Sequence, residues 1–351
     1  MLWFAALPGW DAATVLSTIG LRLPMKIAPR RAQRRRILLA MLAGSVLLAL
    51  LTAGCGSSSM GSGSAASTSS SSGSSTAPIA AVAAENEYAN VLEQIGGKYV
   101  KVTAIESNPN TDPHTYEASP STAQAVAGAK MLIENGVGYD TFMGKIESAS
   151  PDSQRLVINV QKLLGLPEST PNPHLWYKPT TMPLVAKAIV SDLSSLQPAH
   201  AAYFQANDAA FEASLQPWLK ALAQFNKRYP GTAVATTEPV ADYMLEAAGI
   251  KNLTPFSMQA DIMNGTDPAP QNVSLQNGLF SGHRVKIFVH NQQVTDSFTE
   301  SFVNAAKRAG IPVVGVYETM PTPGYDYQSW MLAEVKALEK AVSEHASTEK
   351  L

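Results

Sequence analysis

The strongest constraint on the fold is an alternation of short apolar segments with helical segments, which starts near residue 78 and again near residue 232. Such alternation is typical of βαβ units, in which parallel strands pack against helices. Between the two series, apolar side chains recur every three to four residues over 199–228, which predicts one long helix with a kink at Pro217. We therefore predict an α/β protein with two similar lobes, each built on a parallel sheet and joined by this helix.

The individual elements follow from the same pattern. The predicted strands cover residues 79–84, 100–105, 131–134, 155–160, 232–237, 286–290 and 313–317. The predicted helices cover residues 88–95, a short Ala-rich segment from 119, the long segment 199–228, and then 240–248, 297–309 and 327–344. Residues 257–282 are rich in Asn, Gly and Pro, and no regular element is predicted there.

The N-terminal segment has the features of a secretory signal peptide. An arginine cluster at residues 30–36 precedes an apolar run over residues 37–51. This run is shorter than the roughly 20 residues that a membrane-spanning helix needs, and its basic flank is typical of a signal peptide. The run ends in Leu-Thr-Ala-Gly-Cys, which resembles the lipobox of bacterial lipoproteins and implies lipidation of Cys55. Met25 is a more natural start for such a signal than Met1, so we expect the true start at Met25.

The segment after Cys55 is predicted to be a tether. Residues 56–76 are almost all Ser, Gly and Ala, a composition that forms a flexible coil. The alternative for Cys55, a buried structural thiol, gives no reason for its position directly behind the apolar run. The predicted organisation is a signal peptide over 1–54, a lipidated tether over 55–77, lobes over 78–198 and 230–351, and the linking helix over 199–229.

Composition excludes several kinds of site. A single cysteine rules out an internal disulfide and a cysteine-rich zinc module, so a metal site would use His, Asp or Glu. The formal net charge of −2 offers no basic footprint for nucleic acid, and we expect no nucleic-acid partner.

Four side chains that can bind a metal lie near the ends of predicted strands or the starts of helices. His114 follows the second strand, His174 precedes the helical region, Glu238 ends a strand and Asp326 precedes the last helix. Ligands of open parallel sheets bind outside the carboxyl ends of the strands. Two imidazoles and two carboxylates would suit Mn, Fe or Zn, and two ligands from each lobe would place the ion in the cleft between the lobes.

Position alone does not select these four residues. Glu85, His290 and Glu318 also follow predicted strands, and an isolated histidine near a loop is more often a surface or structural residue than a ligand.

Two motifs carry a resemblance to a known family. The segment Asp-Pro-His-Thr-Tyr-Glu at residues 112–117 resembles the Asp-Pro-His-x-Tyr-Glu segment of the zinc/manganese solute-binding proteins of ABC importers, also called cluster A-I or cluster 9. Asn-Pro-His-Leu-Trp at 172–176 resembles the family segment Asp-Pro-His-x-Trp, with Asn in place of Asp. Thr-Thr-Glu at 236–238 resembles the strand end that supplies the third ligand. The resemblance runs from about residue 78 to the last helix.

The resemblance implies both a fold and a set of ligands. Family members have two lobes joined by a long rigid helix, with the metal bound in the cleft between the lobes. His114 and His174 would be the first two ligands, Glu238 the third and Asp326 the fourth. Glu318 or water is the alternative fourth ligand. The long His-rich loop of many zinc importers is absent from this sequence.

The function implied by the resemblance is metal capture outside the membrane. The protein would be a monomer anchored to the cell membrane through Cys55, and it would not be an enzyme. It would bind one divalent ion, Zn or Mn with Fe as a further candidate, and deliver it to an ABC permease and its ATPase.

Two rival functions fit part of the pattern. An anchored metal-dependent hydrolase could use two histidines and a carboxylate around an ion with an open position. The sequence contains neither a His-Glu-x-x-His helix nor a Gly-x-Ser-x-Gly elbow, which disfavours this alternative. The other rival is a surface adhesin, and neighbouring genes for an ATPase and a permease would favour the importer over it.

Overall fold

Two parallel sheets of four strands each form the framework of residues 77–351, the part of the chain that the computed structural model describes. The strands are β1 Ile79–Glu85, β2 Val100–Glu106, β3 Met131–Glu134, β4 Leu156–Asn159, β5 Ala233–Thr236, β6 Lys251–Asn252, β7 Ile287–Asn291 and β8 Val313–Val316. The strand orders are β2-β1-β3-β4 and β6-β5-β7-β8, so the two sheets have the same topology. The prediction of two similar α/β lobes with parallel sheets is confirmed.

The predicted strands agree with the observed ones to within one residue at each end. The apolar runs of β7 and β8 are buried at every residue, whereas β2 and β4 are partly exposed. Strands covered on both faces form continuous apolar runs of this kind. The prediction missed β6, which has two residues and too little sequence for a detectable pattern.

Helices cover the sheets and connect their strands. Within the described residues they are α1 Asn86–Gly96, α2 Pro120–Gly128, α3 Thr141–Ala149, α4 Val160–Leu163, α5 Thr181–Leu196, α6 Ala201–Ser214, α7 Gln216–Arg228, α8 Asp242–Ala247, α9 Phe256–Met263, α10 Pro270–Ser281, α11 Ser297–Arg308 and α12 Tyr327–Glu344. No helix is predicted from the sequence at α3, α4, α5, α9 or α10. The last two helices bury only three residues each, in a stretch rich in Asn, Gly and Pro.

The connection between the lobes consists of two helices instead of the single continuous helix predicted. Helices α6 and α7 meet at Leu215, close to the predicted kink. Pro217 has no N–H to donate to the carbonyl four residues earlier, so the helical hydrogen-bond ladder is interrupted here. Helix α6 packs on α1 and α5, whereas α7 packs on α12. The connection is therefore fixed to one lobe at each of its ends.

The lobes share one hydrophobic core, which contains buried residues from both sheets. Aromatic side chains bridge the two halves of the chain. The rings of Tyr177 and Trp330 have centroids 5.6 Å apart, and Tyr327 donates its hydroxyl to the backbone carbonyl of Trp176 at 2.7 Å. A wide opening of the lobes would expose these rings to water, so the packing favours small movements.

In residues 77–351, no helix combines the length and apolar character needed to cross a membrane. Cys55 and the predicted signal and tether lie outside the described residues.

Candidate metal site

The candidate site lies where the carboxyl ends of the two sheets face each other, as expected for open parallel sheets. His114 belongs to a short helical turn, Pro113–Thr115, in the loop after β2. The Asp112 side chain accepts the backbone N–H of His114 at 2.8 Å and caps this turn. Pro113 fixes the local backbone, so the Asp-Pro-His segment presents the His114 ring in one direction.

His174 is completely buried in the segment between β4 and α5. Its ring packs against Trp176, with the centroids 5.4 Å apart. Nδ1 lies 2.8 Å from the side-chain oxygen of Asn172. That oxygen accepts a hydrogen bond, so Nδ1 carries the proton and Nε2 is left free to bind a metal.

Glu318 contacts both His114 and His174. It follows β8 by two residues, and its side chain is completely buried. Its Oε2 atom lies 3.1 Å from Nε2 of His114 and 3.1 Å from Nε2 of His174. Tyr139 also donates its hydroxyl proton to this oxygen at 3.0 Å. One ligand atom from each of the three residues lies within 4.8 Å of the others, a spacing at which one ion can contact all three.

Glu238 lies beside this group, two residues after β5. The Asn291 amide donates to Oε1 of Glu238 at 3.2 Å and to Oε1 of Glu318 at 2.7 Å. Asn291 therefore holds the two carboxyl groups next to each other. The second oxygen of Glu238 is buried and has no hydrogen-bond partner among the described residues. A buried oxygen without a partner is costly, and a cation would satisfy it.

Asp326, the predicted fourth ligand, does not belong to the group formed by His114, His174 and Glu318. Its side chain caps α12 by accepting the backbone N–H of Ser329 at 2.9 Å, and Ser329 in turn bonds back to the Asp326 backbone. Its other oxygen accepts from Gln328 at 3.0 Å. Both oxygens are thus occupied at a helix N-terminus, where a carboxylate is favourable without a metal. The alternative fourth ligand, Glu318, occupies the position expected of a ligand.

The other strand-end candidates also lie outside the group. Glu85 is buried at the end of β1, and His290 is buried in β7. Tyr139, Asn291 and Gln293 contribute contacts that the sequence did not predict. Gln293 accepts the backbone N–H of Glu318 at 2.6 Å and donates to the Thr111 carbonyl at 2.7 Å. Asn291 ends β7 and Gln293 follows it, so their position at a strand end could have indicated them from the sequence. No sequence feature indicated Tyr139.

Negative charge at the candidate site is concentrated on Glu318. Burial alone would raise its pKa, but the contacts with the imidazoles of His114 and His174 outweigh burial and hold the pKa well below its usual range. For His114, burial lowers the pKa, and the contact with Glu318 more than compensates, so the pKa lies above its ordinary value. Burial, followed by repulsion from Glu318, raises the pKa of Glu238 well above normal. Protons therefore occupy the site before a metal does, and an incoming cation must displace them.

A second set of buried carboxyl groups lies at the ends of β1 and β2. Glu85 and Glu106 are paired in register on these neighbouring strands, and their carboxyl oxygens have no hydrogen-bond partner within residues 77–351. Burial and then the nearby Glu87 raise the pKa of Glu106 to about 9. Burial and then Asp140 raise the pKa of Glu85 well above its ordinary value. Glu106 is consequently uncharged near neutral pH.

Replacing Glu106 by Gln is expected to stabilise the metal-free protein at pH 8. The pKa of Glu106 is about 9 in the folded state against an ordinary 4.5, so folding binds a proton between these values and stability falls as pH rises through this window. Gln keeps the shape and removes this dependence. We expect the melting temperature at pH 8 to rise by about 4 to 8 °C, or ~2 kcal/mol. No difference should appear at pH 4.

Thermal melts of both proteins at pH 4 and pH 8 test this prediction, with the exposed Glu168→Gln as the matched surface control. An equal difference at both pH values would contradict the assignment of a proton to Glu106.

Comparison with known proteins gives a family match over most of the described chain. Residues 82–341 match the family described as "Zinc-uptake complex component A periplasmic". The match includes every residue of the candidate metal site. Curated relatives include the manganese-binding lipoprotein MntA of Bacillus subtilis, 27% identical over 144 residues that cover 39% of this chain and 47% of MntA. The zinc-binding protein TroA of Treponema pallidum is 28% identical over 112 residues, which cover 30% of this chain and 36% of TroA. The matched segments thus span about half or less of these relatives.

The fold is also found in solved structures. The structure of the periplasmic zinc-binding protein TroA from Treponema pallidum superposes with a TM-score of 0.65 and 17% identity, covering 77% of this chain and 100% of TroA. At this identity the likeness establishes the shared fold, with two lobes around a cleft.

Proposed function

The chain belongs to the family of zinc-uptake complex component A, and we propose that it captures one divalent transition metal ion outside the cytoplasmic membrane and delivers it to an ABC importer. The observation that carries this proposal is that ligand atoms of His114, His174 and Glu318 lie within 4.8 Å of one another in the cleft between the lobes. The family is an uptake component, and it gives no support to the hydrolase alternative.

We propose His114, His174, Glu238 and Glu318 as the ligands. Two neutral imidazoles and two carboxylates neutralise a divalent ion, so the buried site carries no uncompensated charge once it is loaded. Glu238 contributes the oxygen that lacks a hydrogen-bond partner. Glu318 replaces Asp326 in the set predicted from the sequence.

The donor set favours Zn²⁺ or Mn²⁺ as the cargo, with Fe²⁺ as a further candidate. Imidazole nitrogen and carboxylate oxygen suit these ions, whereas thiolate and thioether donors that select Cu(I) are not among the proposed ligands. MntA is named for manganese and TroA for zinc, which supports the same pair of metals for this chain.

The proposed partners are an ABC permease and its ATPase. Transport can be tested in cells that lack the gene for this protein by following the uptake of radioactive Mn²⁺ or Zn²⁺. The wild-type protein should restore uptake, whereas Glu318→Ala should not. Equal restoration by both proteins, at equal expression, would contradict the proposed role of the site in import.

Metal loading is expected to raise the melting temperature. An ion that binds the folded state alone stabilises it by about 4 kcal/mol at a free concentration a thousandfold above its dissociation constant. For a protein of this size the shift is roughly 8 to 16 °C. Melts of chelator-treated protein, with and without Mn²⁺ or Zn²⁺, measure this shift, and Mg²⁺ at the same concentration is the control. No shift with Mn²⁺, Zn²⁺ or Fe²⁺ would contradict metal binding.

We also propose that lipidation of Cys55 anchors the protein, with residues 56–77 as the tether to the folded lobes. The name of MntA as a lipoprotein supports this arrangement. Cys55→Ala is expected to move the protein from the membrane fraction to the soluble fraction, because the variant has no thiol to lipidate. Fractionation with an antibody measures the distribution. A variant whose signal is removed but which stays in the membrane fraction would contradict the proposed anchor.

A further inference from the structure

Asn172 occupies a position that joins both lobes at the proposed metal site. The family segment has Asp at this position, whereas this chain has Asn. The side chain is buried, with 6% of the residue exposed, and it contacts groups on both sides of the cleft. We propose that Asn172 is a positioning residue, which orients the ligand His174 with its amide oxygen and ties that ligand to the opposite lobe with its amide nitrogen.

The contacts define the orientation of the amide group. Its oxygen lies 3.0 Å from the backbone N–H of His174, which can only donate. Its nitrogen lies 2.8 Å from the carbonyl of Pro239, which can only accept. Either neighbour alone would identify the two ends of the amide, and the two agree.

The amide oxygen acts on the ring of His174. The same oxygen lies 2.8 Å from Nδ1, so it holds the proton on Nδ1 and leaves the lone pair on Nε2. Nε2 is the atom that faces Glu318 at 3.1 Å. Asn172 thereby prepares His174 as a ligand before an ion arrives. Removing a hydrogen-bond partner of a metal-binding histidine typically lowers metal affinity ten- to a hundredfold.

The amide nitrogen acts across the cleft. Pro239 directly follows the proposed ligand Glu238, and its carbonyl also accepts the backbone N–H of Asp242 at 3.1 Å. Tyr243 of α8 adds a second tie by donating its hydroxyl to the backbone carbonyl of Asn172 at 2.9 Å. The segment that carries His174 is therefore bonded to the segment that carries Glu238, although the two come from different lobes.

An aspartate could perform the first of these roles but not the second. A carboxylate would accept from the ring and backbone of His174 as the amide oxygen does. Its other oxygen would face the Pro239 carbonyl without a proton between them, which is repulsive. The amide of Asn172 thus provides a connection between the lobes that an aspartate at this position could not make.

Two variants separate the roles. In metal-free protein labelled with ¹⁵N-histidine, long-range ¹H–¹⁵N spectra report which nitrogen of His174 is protonated. We expect the Nδ1–H form in the wild type, its loss in Asn172→Ala and its recovery in Asn172→Asp. Amide exchange of Asp242 should become roughly fivefold faster in both variants, because the hydrogen bond from Asn172 to Pro239 is lost in each.

Metal affinity should depend on how the His174 ring is oriented. We expect Asn172→Ala to bind Mn²⁺ or Zn²⁺ about tenfold or more weakly and Asn172→Asp to recover most of that loss. Asn207→Ala is the matched control, because Asn207 donates to the Ile95 carbonyl at 2.9 Å, away from the proposed ligands, and its loss should change none of these readouts.

The outcomes that overturn the proposal are specific. Retention of the Nδ1–H form in Asn172→Ala would overturn the orienting role, and unchanged exchange of Asp242 in Asn172→Asp would overturn the tie between the lobes. The inference about affinity rests on the proposed metal-binding function. The spectra and the exchange rates are measured without metal, so a wild-type protein that bound no metal would contradict that function and leave both structural roles testable.

Discussion

His174→Ala is expected to lower the affinity for Mn²⁺ and Zn²⁺ by more than about a hundredfold. Loss of a residue that only hydrogen-bonds to a ligand already lowers metal affinity ten- to a hundredfold, and loss of the ligand itself should cost more. The substitution removes a proposed ligand that is fully buried and whose Nδ1 lies 2.8 Å from the side-chain oxygen of Asn172. The free energy of unfolding of the metal-free protein should also fall, because the ring packs against Trp176. Competition with a chelating dye measures the affinity, and circular dichroism checks the fold.

The matched control for this change is His200→Ala. His200 stacks on Tyr99 with the ring centroids 3.7 Å apart, so its removal also takes an imidazole from an aromatic contact. It is not among the proposed ligands, and metal affinity should be unchanged. A folded His174→Ala protein that binds with the wild-type affinity would contradict the assignment of His174.

Glu318→Ala is expected to lower metal affinity, whereas Asp326→Ala is expected to lower stability and leave affinity nearly unchanged. Glu318→Ala removes the carboxylate on which both histidines converge, and affinity should fall by more than about a hundredfold. Asp326→Ala removes a helix cap, which costs about 1 kcal/mol of stability, and should leave affinity within about twofold.

Dye competition and thermal melts on the same preparations separate these outcomes. The isosteric Glu318→Gln is the control for shape, because it keeps the volume of the side chain and removes its charge. It should also bind weakly. If Asp326→Ala abolished binding and Glu318→Ala did not, the fourth ligand would be the one originally predicted from the sequence, and the geometry described above would not apply to the loaded protein.

The sequence was informative wherever a local pattern determines structure. Apolar runs in both sheets are long enough to predict seven strands, and the helix periodicity is clear where one face of a helix is buried, as in α11. The Pro-His segments indicated His114 and His174 as candidate ligands through their resemblance to the family motifs. Helices α9 and α10 were missed because their apolar residues form no clear stripe and the stretch around them is rich in Asn, Gly and Pro.

The assembly of the site depended on distances between residues far apart in the chain. Glu318 and His174 are separated by 144 residues, and no local pattern brings them together. Asp326 and Glu318 both follow β8, and the sequence could not distinguish a helix cap from a ligand. Asp326 is followed three residues later by Ser329, and the two reciprocal hydrogen bonds between them identify Asp326 as a helix cap in the structure. The exchange of Asp326 for Glu318 therefore required the structure.

The central claim is that the cleft between the lobes holds one divalent transition metal ion through His114, His174, Glu238 and Glu318. A calorimetric titration of chelator-treated protein with Mn²⁺ or Zn²⁺ tests it most directly, run beside a double variant, His114→Ala with His174→Ala. We predict one ion per chain in the wild type and no tight binding in the double variant. A double variant that remains folded and still binds one ion with the wild-type affinity would contradict the claim.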